Sequence, residues 1–233
     1  MAAAIRVLST LAVMGAMRDL SALYETRSAH RVEADFSPTV ALLARLRGGE
    51  RADVAILTAQ GIDDLTAEGL IRPGTRTDVA RSFVGIAVRA GAPKPDIGTL
   101  EAFKATLLAA RSVAYSRIGA SGLYFAGLIE RLGIAPEVNA KAMIVSTGFT
   151  AERLVSGEAD LAVQQVSELM VVPGIEVVGP LPPEVQTVAM FSAGLLTASE
   201  QPDVAAGLLR FLASAEAAPV LRRTGLEPPL PGG

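Results

Sequence analysis

Two apolar runs in this chain break off into turns of small polar residues, and each turn opens a stretch with helical spacing. Ile5-Arg6-Val7 leads into Leu8-Ser9-Thr10-Leu11-Ala12. Ser112-Val113-Ala114 leads into Tyr115-Ser116-Arg117-Ile118-Gly119-Ala120-Ser121-Gly122. A helix start carries backbone N–H groups without partners and a partial positive charge, so hydroxyls and glycines at such a junction make a site for an anion. Two junctions far apart in the chain predict two lobes that grip one small anionic ligand.

The rest of the pattern repeats the same alternation. Ile5–Leu8, Arg31–Phe36 and Val54–Leu57 read as strands, separated by helices over Gly15–Thr26 and Val40–Leu46 and followed by one over Ile62–Glu68. This βαβαβ order implies a parallel sheet with right-handed crossovers. A longer strand, Arg81–Arg89, leads into the proline-bearing turn Ala90–Gly98. A second series follows: helix Leu100–Ala109, strand Val113–Tyr115, helix Ser121–Leu132, strand Ala142–Val145, helix Thr150–Ser156 and strand Leu161–Val163. Val171–Val178 and Thr187–Leu196 are further strands, split by the proline-rich Gly179–Pro183. Pro202–Ser214 and Ala215–Arg223 read as closing helices, and the Pro- and Gly-rich tail Glu227–Gly233 as frayed. The late return strand divides the chain into Met1–Ala80 with Thr187–Gly233 as one lobe and Arg81–Gln186 as the other. The chain crosses between them near Arg81–Val84 and Pro183–Val188.

Composition narrows the function. Half of the 233 residues are hydrophobic, mostly Ala, Val and Leu, which suits buried parallel strands, yet no apolar run approaches the roughly 20 residues of a membrane span. A net charge of −3 gives no basic face for a phosphate backbone, so nucleic acid is not expected as a partner. With no cysteine and a single histidine, His30, disulfides, cysteine metal sites and histidine zinc sites fall away, and no metal or cofactor is expected. The chain reaches its first strand directly after Met1-Ala2-Ala3-Ala4. That places it in the cytoplasm unless a leader has been removed, in which case it is periplasmic.

Ligands of open α/β sheets lie beyond the carboxyl ends of the strands. The residues expected there are Ser9 and Thr10 after the first strand, Thr39 in Ser37-Pro38-Thr39 after the second, and Thr58 after the third. In the second lobe they are Ser116, Arg117 and Ser121, then Ser146 and Thr147 in the turn Ser146-Thr147-Gly148, and Gln164 after Leu161-Ala162-Val163. Arg117 is the one cation at these strand ends, and a guanidinium holds a carboxylate bidentately. Gly119 and Gly122 would let a ligand approach the backbone closely. Ser146-Thr147-Gly148 reads as a third anion nest before a helix. Asp53, Asp63, Asp64 and Glu68 read as solvated or capping charges.

From Ile5 to about Pro228 the chain resembles the type 2 periplasmic solute-binding proteins, in the branch that includes the molybdate-binding proteins. The resemblance rests on the Ser-Thr-Leu-Ala turn, Phe36-Ser37-Pro38-Thr39 before Leu42-Leu43-Ala44-Arg45, the run Ala52-Asp53-Val54-Ala55-Ile56-Leu57-Thr58, Gly157-Glu158-Ala159-Asp160 before Leu161-Ala162-Val163, and the helix around Leu209-Leu212. It implies an α/β, two-lobed periplasmic-binding-protein-like fold of type 2, each lobe a mostly parallel sheet flanked by helices, with a ligand cleft between lobes. It also implies a monomer and, if the chain is exported, ABC transporter membrane subunits as partners. Molybdate binders typically carry a serine where this chain has Ala12, a serine hydroxyl where it has Thr39, and a tyrosine where it has Gln164. Those departures, with Arg117, turn the expected ligand from an oxyanion such as molybdate to an organic di- or tricarboxylate. The resemblance extends to aconitate isomerase, which moves a double bond between cis and trans forms of a tricarboxylate. For that chemistry the available acid or base groups are Tyr115, Tyr124 and Glu168.

Overall fold

The computed structural model describes residues 3–230. Along the chain run β1 (Ala4–Thr10), α1 (Met14–Arg27), β2 (Arg31–Ser37), α2 (Thr39–Arg47), β3 (Val54–Thr58), α3 (Ala59–Ala67) and β4 (Thr77–Arg89). Then come α4 (Leu100–Ala109), β5 (Val113–Ser116), α5 (Ala120–Arg131), α6 (Ala135–Asn139), β6 (Ala142–Val145), α7 (Glu152–Val155), β7 (Leu161–Gln165), α8 (Val166–Leu169) and β8 (Ile175–Pro180). The chain closes with β9 (Val188–Leu195), α9 (Pro202–Leu212) and α10 (Ala218–Arg223). It divides into two units, residues 1–82 with 189–233, and residues 83–188.

In the first unit β1 lies between β2 and β3, parallel to both, and β9 returns antiparallel to β3. The strand Val54–Leu57 is buried throughout, as a continuous apolar run between two helical layers requires. β2, at the sheet edge, alternates exposed and half-buried positions instead. One layer packs Met17, Leu20 and Tyr24 of α1 with Ala205, Leu208, Leu209 and Leu212 of α9; the other packs Leu42 and Leu46 of α2 with Ile62 and Leu65 of α3. These spacings of three and four residues put each set on one helix face.

The second unit orders its strands β8-β4-β7-β5-β6. β5 is parallel to β6 and β7, while β4 runs antiparallel to β7 and β8. Phe103, Tyr115, Phe125 and Ile129 centre the larger core layer. The α/β class is as the sequence implied, and several boundaries move. Residues 171–174 form a turn rather than the start of a strand, because Gly174 takes φ +83° and reverses the chain before β8. The short α6 was not foreseen. Glu227 is not frayed: its backbone pairs with that of Arg81 in both directions. Pro231–Gly233 lie outside the described residues.

Asp53 corrects a second expectation. It is buried rather than solvated, and its carboxylate accepts from Arg6 N (2.9 Å), Ser199 Oγ (2.6 Å) and Gln201 Nε2 (2.9 Å). One side chain thus ties β1, the start of β3 and the approach to α9. Removing it leaves three donors without their acceptor. Asp53→Ala is expected to lower the unfolding free energy by roughly 3 kcal/mol, read by urea denaturation, and a loss below about 1 kcal/mol would contradict this role.

Candidate functional site

The parallel register brings the first unit's predicted residues to one edge. Thr10 pairs with Ser37 across β1 and β2, and Ser9 pairs with Ile56 on β3, two residues short of Thr58. Their hydroxyls then differ in use. Ser9 is buried and donates to Thr10 O (3.2 Å). Thr58 Oγ1 caps α3 by accepting from Gly61 N (3.2 Å). Thr10 and Thr39 are buried residues whose hydroxyls donate to no other described residue. No side chain caps the single 3-10 turn Leu11–Val13 before α1, and none caps α2.

Arg45, unmarked in the sequence beyond its place in the family wording, holds the 35–39 turn. Its guanidinium bonds both Asp35 oxygens (3.0 and 3.1 Å), Ser37 Oγ (2.6 Å) and both Glu50 oxygens (2.7 Å each). Hydrogen bonding to Arg45 holds both carboxyls below the usual range, and the same bonds hold the guanidinium protonated. Thr39 therefore stands on a braced turn.

In the second unit Ser116 pairs with Val145 at the ends of β5 and β6, and β7 ends beside them in Gln164-Gln165. Ser116 Oγ accepts from Ile118 N (3.2 Å), which shapes the turn into α5. Gly119 begins α5 without a side-chain cap, and the hydroxyl of the buried Ser121 in its first turn donates to no described residue. Arg117 is exposed. Its Nε and Nη2 donate to Tyr115 Oη (3.3 and 3.1 Å), and Nη2 also donates to Asn139 Oδ1 (3.2 Å).

Gly122 does not serve the approach of a ligand. A Cβ there would sit 1.8 Å from Ser116 O, so the close approach is the chain's own; at Gly119 the nearest atom would be 4.0 Å away. The nest expected at Ser146-Thr147-Gly148 is also corrected. The helix begins at Glu152, not Thr150, and Glu152 Oε2 would stand 3.1 Å from a Cβ on Gly148, so a carboxylate already overhangs the turn. Ser146 and Thr147 themselves are exposed.

The three acid or base candidates all have internal partners. Tyr115, fully buried, donates to Asn139 Oδ1 (2.5 Å). Tyr124 donates to Val185 O (2.6 Å). Glu168 is buried in α8, and its Oε2 accepts from Gln165 N (3.2 Å). Burial pushes its carboxyl up to about 7, against the opposing bonds from Gln165 N and the Gln164 side chain. Gln164 Oε1 accepts from Thr150 N (2.8 Å) and Thr150 Oγ1 (2.9 Å). Gln186 is a further residue the sequence did not mark. Its amide bonds Val84 N (3.2 Å), Val84 O (2.9 Å) and Leu181 O (3.3 Å), in the manner of a short piece of strand.

The helix starts after β1, β2 and β5 carry no side-chain cap, and Thr10, Thr39 and Ser121 stand beside them on an α/β scaffold. The chain belongs to the bacterial extracellular solute-binding protein family, whose sequence profile matches residues 5–227. It is 37% identical over 228 residues, 95% of this chain and 87% of the relative, to an aconitate isomerase of Pseudomonas sp. The periplasmic molybdate-binding protein of Azotobacter vinelandii is similar in fold, with TM-score 0.83 and 17% identity over 97% of this chain and 100% of that one. A periplasmic thiamin-binding protein gives TM-score 0.76 and 18% identity over 99% and 86%. At such identities the likeness is one of fold, and type 2 periplasmic binding architecture is what these structures share. Among the described residues no helix is long and apolar enough to cross a membrane.

Two outcomes test this geometry. Gly122→Ala is expected to destabilise the protein by more than the roughly 1–3 kcal/mol of ordinary overpacking, while Gly119→Ala stays within about 1 kcal/mol; equal effects in urea unfolding would contradict the assignment. Glu168 binds its proton more tightly when folded than its ordinary value of 4.5 allows. Its contribution is therefore full below about pH 4.5 and is lost as pH rises through about 7. The stability of wild type relative to Glu168→Gln should fall by roughly 3 kcal/mol across that window, and a flat difference would refute the shift.

Proposed function

We propose that this chain captures a small organic polycarboxylate, an unsaturated tricarboxylate of the aconitate class. Its donors are Ser9, Thr10, Thr39 and Thr58 in one unit and Ser116, Arg117, Ser121, Ser146, Thr147 and Gln164 in the other. The observation that carries the reading is the unused polar capacity at the strand ends: the buried residues Thr10, Thr39 and Ser121 donate to no described residue, beside helix starts that no side chain caps. Hydroxyls that the protein leaves uncommitted at helix starts suit a ligand with several acceptor oxygens. Arg117 supplies the charge complement that favours carboxylate over a ligand held by neutral donors alone. As a solute-binding protein the chain would work outside the cytoplasm and deliver its ligand to ABC transporter membrane subunits.

The similarity to aconitate isomerase favours a second reading, in which the bound tricarboxylate is turned over. The step takes a proton from the methylene carbon, shifts the double bond by one position, and returns a proton to the far allylic carbon. No other bond changes, and no oxidant or reductant is needed. Donors at the carboxylates would stabilise the charge that builds up on them as the proton leaves.

Calorimetric titration with cis-aconitate, trans-aconitate, citrate and molybdate tests the binding. Both aconitates should bind at least tenfold more tightly than molybdate. Arg117→Ala should weaken aconitate about 10- to 100-fold, since charge-assisted bonds contribute roughly 1.5–3 kcal/mol. Molybdate binding as tight as aconitate, or an Arg117→Ala protein of unchanged affinity, would overturn the assignment. Interconversion of the aconitates, followed by absorbance, separates the enzyme from the pure binder.

A further inference from the structure

Every N–H of the Arg45 guanidinium is used inside the protein. Nε and Nη2 donate to Glu50 Oε2 and Oε1 (2.7 Å each), Nη1 and Nη2 donate to Asp35 Oδ1 and Oδ2 (3.0 and 3.1 Å), and Nη1 also donates to Ser37 Oγ (2.6 Å). Arg45 thus has no donor left for a ligand, and its charge is answered by the two carboxylates. Ser37 is its one neutral partner, and that bond has a fixed direction. A guanidinium has no acceptor, so Ser37 Oγ must accept. A hydroxyl that accepts still carries its own proton. The Ser37 proton cannot turn back to Arg45, and the hydroxyl donates to no other described residue.

The sheet sets that proton among the expected donors. Ser37 ends β2, is half-buried, and pairs with Thr10 at the end of β1. Paired residues of neighbouring strands put their side chains on one face. Thr39, two residues on, opens α2.

We infer that Ser37 is a further ligand donor of the first unit and that Arg45 is its positioning residue, holding the hydroxyl with its proton outward so that this point accommodates only a ligand atom able to accept. The inference rests on the proposed function in placing the ligand at this strand end. The wiring is a device of specificity. A carboxylate or oxo oxygen completes the row of bonds, while a cationic or N–H-bearing group would set donor against donor. A hydroxyl that accepts from a cation is also the stronger donor, because linked hydrogen bonds polarise one another.

A cycle of substitutions tests both roles by calorimetric titration with trans-aconitate. Thr and Val share a shape and differ by the hydroxyl. Ser37→Thr should bind within about threefold of wild type and Ser37→Val about 10- to 100-fold more weakly, the range of a hydrogen bond to a charged group. Arg45→Gln can turn either its amide oxygen or its –NH2 to Ser37, so the direction is lost, and affinity should fall at least about fivefold. In the Ser37→Val background the same change should cost less than about twofold, because no hydroxyl is left to orient.

Ser37→Val with wild-type affinity overturns the donor, and so does a Ser37→Thr protein as weak as Ser37→Val. Losses that multiply in the double variant, or an Arg45→Gln protein of unchanged affinity, overturn the positioning role, since Arg45 would then matter only for the turn or not at all. If Arg45→Gln does not fold, Arg45→Lys enters the cycle. A loss that persists beside Ser37→Val overturns the positioning role; a loss that vanishes there, or full retention, supports it, an ammonium being likewise a donor only. If wild type binds molybdate or sulfate in place of a polycarboxylate, the proposed function fails, and Ser37→Val titrated with that anion decides this inference by the same rule. Binding of the cation thiamin alone overturns both.

Discussion

A parallel strand buried on both faces has one place where polar groups can gather, its carboxyl end, and the rest of this structure is arranged around that constraint. β3, β5 and β7, and β1 beyond Arg6, are apolar along their length and end in Thr58, Ser116, Gln164-Gln165 and Ser9-Thr10. At each end the backbone turns into a helix whose first N–H groups need partners. The chain meets that need unevenly. Thr58 caps α3, and Glu168 accepts from the backbone at the start of α8, while α2 and α5 begin without a side-chain cap. The unevenness separates ends capped by the protein's own side chains from ends that no side chain caps.

The sequence showed the strands because burial on both faces demands unbroken apolar runs, as in Val54–Leu57 and Leu161–Val163. It showed the strand-end hydroxyls because small polar residues at such junctions stand out from the runs before them. It did not show what each hydroxyl is used for. Ser9 and Thr10 are adjacent and alike on paper, yet one donates to the other's carbonyl and only the second keeps its hydroxyl uncommitted. Asp53 reads as a surface charge because its partners Ser199 and Gln201 lie far along the chain. The brace from Arg45 to Asp35 and Glu50, and the bonds of Gln186 with Val84, are likewise long-range pairings of common residue types with no local signature. The turn before β8 was misread because Val171 and Val172 are apolar, while Gly174, two residues on, decides the path by its positive φ.

The scaffold alone leaves the ligand open, since the proteins similar in fold are named for solutes as different as molybdate and thiamin. What distinguishes one such protein from another must lie in the few side chains at the strand ends. In this chain Gln164 shows how far such a position can be recruited to the protein's own use: its amide oxygen accepts from both the backbone and the hydroxyl of Thr150.

Arg117 and Arg45 make the complementary point about charge. Both are arginines near a strand end, and both guanidiniums are hydrogen-bonded within their own unit. Arg45 bonds two carboxylates, Asp35 and Glu50, and drawing it to a ligand would break charge-assisted bonds that a new carboxylate could only replace. Arg117 bonds neutral oxygens, those of Tyr115 and Asn139, and it stays exposed. Every hydrogen bond to a guanidinium is charge-assisted, but only a carboxylate partner also neutralises the charge, so Arg45 is paired in sign while Arg117 is not. The neutral partners orient the guanidinium without neutralising it, which keeps a cation available at the start of α5, where the backbone also favours negative charge.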